Sequence, residues 1–176
     1  MKKTVLLTAV ALMLSAFLCG CRSVVPKHTY LLMPDETISP VEGTQVQVKV
    51  SSVSLPAYIS RRELVRIIDS DRVTTVPGMM WAEMLDNNVK RVLEENLERA
   101  SSPNGRMVNV RFDFRHLELT DRDTLRVEAV AVTEDATENS KTFAFETPLA
   151  GHAHAARAYG VALSALSRHV IQWLNH

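Results

Sequence analysis

The sequence predicts an α+β domain of two layers, a mainly antiparallel sheet with two long amphipathic helices packed on one face. Three observations lead there. Apolar residues alternate with polar ones in several short segments, and two longer segments repeat their apolar residues every three to four positions. The order of these segments is strands, helix, strand meander, helix, and laying both helices on one side of a sheet buries both apolar stripes.

Taken in order, Tyr30 to Met33 is a short apolar strand ended by Pro34. From Thr44 to Leu55, Val46, Val48 and Val50 alternate with polar residues; the phase then shifts at Ser51-Ser52 to Val53 and Leu55, which predicts a bulge or a strand end. Pro56 closes this strand. Leu64–Ile68 and Val73–Val76 flank Asp69-Ser70-Asp71-Arg72 as a hairpin, and Val76-Pro77-Gly78 breaks the chain. The first helix opens at Trp81 and carries Leu85, Val89, Leu93 and Leu97 at four-residue spacing, with Met84 and Val92 widening the stripe. Lys90–Glu94 and Glu95–Arg99 are opposite-charge pairs on its outer face, each worth about 0.2–0.5 kcal/mol if exposed. Ser101 to Gly105 ends it. Val108, Val110, Phe112 and Phe114 then alternate, with a phase slip at His116-Leu117. Thr120 to Asp123 turns the chain into Leu125, Val127, Ala129 and Ala131, and an acidic stretch from Glu134 leads to a last strand over Lys141–Glu146. The alanine-rich C-terminal helix spaces Tyr159, Leu163, Leu166, Val170 and Trp173 along one face.

Ahead of this domain, Lys2 and Lys3 precede a nearly unbroken apolar run from Val5 to Phe17, and Leu18-Cys19-Gly20-Cys21 follows. The run is shorter than the roughly 18–20 residues a membrane-crossing helix needs. It reads as a bacterial lipoprotein signal over residues 1–20, with Cys21 as the acylated N-terminus of the mature chain. The expected covalent lipid is a diacylglycerol and an N-acyl chain on Cys21, palmitate among them. Residues 21–27 form a lipidated N-terminus and short tether, and residues 28–176 the domain. Arg22 rather than aspartate follows the cysteine, which favours export to the periplasmic face of the outer membrane. From Arg22 to His28 the tether spans at most about 20 Å, so partners must come to the domain.

Twenty basic and twenty acidic residues balance in the full chain. Loss of Lys2 and Lys3 with the signal leaves eighteen against twenty, a net charge of −2 that gives no case for nucleic acid. With Cys19 removed and Cys21 acylated, no disulfide remains. His152-Ala153-His154 would share a face on a strand but point about 200° apart on a helix, so no metal is expected there. Asp69/Asp71 and Asp121/Asp123 sit in predicted turns, where aspartate bonds its own backbone. With no nucleophile elbow, no P-loop and only six glycines, the chain does not read as an enzyme and asks for no cofactor. The segment from Leu55 to Leu64 has two readings. Either Tyr58 and Ile59 pack on the core while Arg61 and Arg62 face water, or Pro56, Tyr58, Arg61 and Arg62 form a partner-docking surface, since tyrosine and arginine favour interface hot spots. Trp81 reads as a core anchor.

The lipobox, Tyr30-Leu31-Leu32, Val46-x-Val48-x-Val50, Leu55-Pro56-Ala57-Tyr58-Ile59-Ser60-Arg61, Trp81-Ala82-Glu83-Met84-Leu85 and Val92-Leu93-x-x-Asn96-Leu97 occur in one order. In these motifs the chain resembles the ABC-type transport auxiliary lipoproteins, the PqiC-like family, over essentially the whole mature sequence. Met84 stands where that family often has proline, which the first turn of a helix tolerates equally. The resemblance implies a non-enzymatic outer-membrane component of a lipid-trafficking system. Its partners would be an MCE-domain periplasmic tunnel protein, that protein's membrane permease and outer-membrane lipid, and a ring-shaped homo-oligomer follows by analogy. The alternative is a free-standing lipoprotein that binds a lipid or peptidoglycan fragment between helices and sheet.

Overall fold

In the computed structural model the described residues are 27–69, 72–135, 139–149, 151 and 154–175. The expected signal, Cys21 and His152 lie outside them, as does Asp71. The elements are β1 (His28–Tyr30), β2 (Val46–Ser54), β3 (Glu63–Ile68), β4 (Arg72–Trp81), α1 (Leu85–Ala100), β5 (Arg106–Leu119), β6 (Thr124–Thr133), β7 (Ser140–Pro148) and α2 (Ala155–Leu174). Seven strands form one sheet in the order β1-β4-β3-β5-β6-β7, with β2 also on β5. Both helices pack on it and on each other, α1 over β2 and α2 over β6 and β7. One apolar core joins the layers, from Val46, Val48 and Val50 through Val110, Phe112 and Leu117 to Leu93, Leu97, Leu163 and Leu166.

The sheet is mixed, which corrects the expectation of a mainly antiparallel one. The β3/β4, β5/β6 and β6/β7 pairs are antiparallel, whereas β1/β4, β2/β5 and β3/β5 are parallel. Period-two alternation reports which face a residue takes but not which way its neighbour runs. Here the β3–β4 hairpin and α1 together act as the crossover that returns β5 beside β2 in parallel. The chain enters β5 through Gly105, where an added Cβ would lie 2.5 Å from the Val46 carbonyl carbon, so only glycine allows that approach.

Both expected phase shifts are bulges. The β2–β5 register shifts between Val50 and Ser52, and the β5–β6 register between Phe114 and His116. Three boundaries differ from the sequence reading. Strand β1 ends at Tyr30, before the Leu31–Met33 run assigned to it. Val76-Pro77-Gly78 does not end its strand: Val65 faces Thr75 and Glu63 faces Met80, so Val76 to Met79 bulge opposite Leu64 and β4 passes through, with Gly78 at φ 75°. Trp81 therefore closes β4 instead of opening the helix, which begins at Leu85. Its indole is 2% exposed and meets Tyr159 edge-on at 5.0 Å, so the expectation that it belongs to the core holds. Asp69 at the end of β3 and Asp123 in the β5–β6 turn take the left-handed conformation, at φ 59° and 53°, while Asp71 lies outside the described residues. Asp69 pairs with Arg72, and Asp123 pairs with Arg66 at 2.9 Å.

After β1 the chain leaves the sheet and runs along both helices. The Leu32 N–H donates to Asn88 Oδ1 at 3.3 Å, and its carbonyl accepts from Arg91 at 2.7 Å. Further on, the Asp35 N–H donates to Asn96 Oδ1 at 2.9 Å and the Val41 N–H to the Ala100 carbonyl at 3.0 Å. The connector thus follows α1 from its first turn to its last, and Asn88 and Asn96 are fully buried beneath it.

Asp35 fastens the same connector to α2. Ser164 Oγ donates to Oδ2 at 2.6 Å, the Thr37 hydroxyl to Oδ1 at 2.6 Å, and Arg168 lies 3.3 Å away. The Ser164 hydroxyl first, and then Thr37, hold the Asp35 carboxyl down to about 2. A depressed carboxylate contributes stability that is full above its unfolded value near 4 and is lost as pH falls through its folded value. Stability is therefore expected to drop between pH 5 and pH 2 through this group, by about 1 kcal/mol because the carboxyl is partly open to water. Denaturant unfolding at those two pH values should show a smaller drop for Asp35→Asn than for wild type; equal drops would remove Asp35 from the account.

Candidate functional site

Two surfaces adjoin the end of the domain where β1, β4 and the helix N-termini meet. The first is the turn between β2 and β3 that holds Pro56, Tyr58, Arg61 and Arg62. The N–H groups of Ile59 and Ser60 both donate to the Pro56 carbonyl at 3.0 Å, which closes a tight turn with Ile59 fully buried. Arg62 is spent on structure, as its Nε donates to the Trp81 carbonyl at 3.2 Å and Nη2 to the Ala82 carbonyl at 2.8 Å. Arg61 is exposed and makes no side-chain bond among the described residues.

Tyr58 anchors this turn to a buried carboxylate. Strand β2 pairs β5 only as far as Asp113, and β3 meets β5 again at Leu119, so Phe114 to Glu118 have no strand on that edge. Side chains supply what a strand would. The Leu117 N–H donates to Glu118 Oε2 at 2.8 Å, and the Leu117 carbonyl accepts from the Tyr159 hydroxyl at 3.1 Å. Tyr58 donates to Glu118 Oε2 at 3.0 Å, and His116 Nδ1 lies 2.7 Å from Oε1. Glu118 is fully buried. Burial first, and then the Glu118 charge, push both phenols well above the ordinary tyrosine value, so Tyr58 and Tyr159 remain hydrogen-bond donors at any physiological pH. This cluster fixes the turn in place. Of the docking residues read from the sequence, it brings Pro56 and Tyr58 into one rigid turn, presents Arg61 and engages Arg62.

The second surface was not read from the sequence. Leu31, Met33, Pro34, Asp35 and Thr37 from the connector and Ala156, Arg157, Gly160 and Val161 from α2 line an open groove of about 600 Å³. Leu32 points inward and is fully buried, so Leu31 and Met33 on either side of it point out, 47% and 58% exposed. The alternation was present in the sequence, but reading Tyr30–Met33 as a buried strand hid its outward half. The two surfaces are close in the chain's bonding, since Arg62 binds the Ala82 carbonyl and the Ala82 N–H donates to Tyr30 at 2.7 Å.

Among the described residues no three histidine, cysteine or acidic side chains gather as metal ligands. His154 is exposed just before α2, and Asp121 is exposed in its turn. No described helix is long and apolar enough to cross a membrane.

The overall fold of this mixed-sheet α+β domain is seen in solved structures. The chain is similar to the crystal structure of an uncharacterized protein, with a TM-score of 0.69 and 14% identity over 85% of this chain and 99% of that one. It is similar also to protein XCC0632 from Xanthomonas campestris, of family DUF330, with a TM-score of 0.66 and 14% identity over 84% and 95% of the two chains. No curated relative matches the chain. The model of the family described as ABC-type transport auxiliary lipoprotein component matches residues 30–171, and the chain belongs to that family.

Proposed function

We propose that the protein is the outer-membrane lipoprotein subunit of an MCE-type lipid-trafficking system, anchored through acylated Cys21 at the periplasmic face. There it docks the periplasmic tunnel protein and supports envelope integrity. The observation that carries this reading is the position of the family domain. The family match begins at Tyr30, only nine residues after Cys21, so an acylated Cys21 would hold the whole domain close to its membrane. A domain so placed suits a fixed collar for a tunnel end and does not suit a carrier. The Pro56–Arg62 turn, braced by Glu118 with Arg61 left exposed, offers the tunnel protein a rigid contact. A homo-oligomeric ring would repeat that contact around the tunnel mouth.

Two substitutions test this. Cys21→Ser, exported with a cleavable signal so that the domain is soluble in the periplasm, is expected to abolish rescue of detergent sensitivity in a strain lacking the protein. Rescue equal to wild type at equal abundance would overturn the anchored-collar reading. Arg61→Glu is expected to weaken crosslinking to the MCE tunnel protein at least tenfold without changing thermal stability. A second reading, a free-standing lipid- or peptidoglycan-binding lipoprotein, draws on the apolar groove beside α2. It is favoured if tunnel crosslinks are absent and the unacylated protein co-purifies with a lipid or muropeptide by mass spectrometry.

A further inference from the structure

We infer that the Leu31/Met33/Val161 groove is a membrane-contact face, which seats in the leaflet that holds the Cys21 acyl chains. The inference rests on the anchored reading of Cys21 and adds an orientation to it.

Exposure is the first ground. Six large apolar side chains are exposed among the described residues, and three of them, Leu31, Met33 and Val161, line this one groove. The other three are dispersed: Val73 beside the β3–β4 turn, Met84 before α1, and Met107 among Gln47, Lys49, Glu94 and Glu98. Leu32 alone fills the core position of its segment, while Leu31 and Met33 each leave about half of their surface outside the core. Apolar side chains gathered on a surface mark a contact with something apolar.

Reach is the second ground. Six residues, Arg22 to Lys27, separate Cys21 from His28, and fully extended that stretch spans no more than about 25 Å. A domain of this length is about 40 Å across, so the tether cannot pass around it. Only the side that carries β1 can meet the leaflet. Leu31 follows β1 directly, about 10 Å from His28 along an extended chain. The groove therefore lies on the side the tether turns to the membrane.

Charge is the third. Arg157 on the groove wall is exposed and has no side-chain partner among the described residues. The one acid in the groove, Asp35, is already held by Ser164, Thr37 and Arg168. A free guanidinium beside apolar side chains fits a phosphate headgroup above its acyl chains, with the arginine stem lying along the apolar surface.

The test uses the scarcity of cysteine, since Cys19 and Cys21 are the only two in the sequence. Met33→Cys, Val161→Cys and the control Val73→Cys are made in the full acylated protein, labelled with an environment-sensitive fluorophore and reconstituted in phosphatidylethanolamine/phosphatidylglycerol vesicles. Labels at 33 and 161 should brighten at least threefold and be quenched by spin-labelled acyl chains, while the label at 73 stays as in water. If 33 and 161 resemble 73, the inference is overturned. If they brighten without quenching by lipid, a protein covers the groove, and the inference is overturned as well. A second arm is independent of the anchor. Cys21→Ser protein should co-float with the same vesicles, weakly, and adding Met33→Asp with Val161→Asp should reduce that at least tenfold with an unchanged circular-dichroism melt. No flotation by the Cys21→Ser parent, or equal flotation by both, overturns the membrane face whatever the state of Cys21. Intact mass of the wild-type chain reports acylation separately.

Discussion

Trp81→Ala is expected to cost about 4 kcal/mol of folding stability, the largest loss from any single substitution argued for this domain. Trp81 is the largest fully buried side chain, and three parts of the molecule meet at it. Its ring packs edge-on against Tyr159 of α2, its strand pairs with Tyr30 of β1, and its carbonyl accepts from Arg62 of the β2–β3 turn. Removing the indole opens a cavity under the start of α2, where surrounding residues are pinned by hydrogen bonds and cannot collapse into it. For a domain of this length the loss corresponds to about 10 °C in Tm. Trp81→Phe should cost much less, about 1 kcal/mol, because the indole Nε1–H is buried without a partner among the described residues. Phenylalanine keeps most of the ring and removes that orphan donor. Chemical denaturation of both variants decides the matter: equal losses would mean that the edge contact and volume are not what Trp81 contributes.

The legibility of this fold divides along physical lines. Alternation and helical spacing depend on which side of an element is buried, so they were readable for β2, β5, β6 and both helices. The phase slips at Ser51-Ser52 and His116-Leu117 were readable for the same reason, since a bulge turns the inward face over. Strand direction was not readable, because a parallel and an antiparallel neighbour leave the same alternation behind. Pro77-Gly78 looked like a terminator because proline and glycine usually are. Here β4 keeps its pairing with β3 on both sides of the Val76–Met79 bulge, and Met79–Trp81 are what β1 pairs with. Asn88 and Asn96 stand four residues either side of Val92, on the buried face of α1. Two amides on an otherwise apolar stripe are a signal that backbone without a strand partner lies above them, as the connector does.

The β2–β3 turn was visible in outline and its support was not. Pro56, Tyr58 and the arginines stood out by type, but a glutamate in a β-strand gave no hint that Glu118 would be the group that fixes them. Its role follows only from the gap left where β2 stops and β3 has not yet begun along β5. Likewise Leu31 and Met33 read as ordinary strand residues until the connector's course along α1 and α2 put Leu32 inside and its neighbours out.

That gap makes Glu118 the second residue on which a large effect is expected. Glu118→Ala leaves the Leu117 N–H and the Tyr58 hydroxyl without their acceptor, and His116 loses its 2.7 Å partner. A buried donor left unpaired costs about 1–3 kcal/mol, so the total is expected to be about 3 kcal/mol, close to that of Trp81→Ala but through polar groups. Glu118→Gln keeps the shape and one acceptor oxygen, and should cost about 1 kcal/mol. Tyr58→Phe alone should also cost about 1 kcal/mol. Because both substitutions act on one hydrogen bond, the double variant Tyr58→Phe/Glu118→Ala should be more stable than the sum of the single losses by at least about 0.5 kcal/mol. Strict additivity would show that Glu118 does not hold the turn through Tyr58. The same variants separate stability from docking, because Glu118→Ala should raise amide exchange at Ala57–Arg61 above that of the β5–β6 ladder. Under the collar reading it should also weaken tunnel crosslinking through Arg61, a side chain that Glu118 never touches and whose placement depends on the turn it anchors.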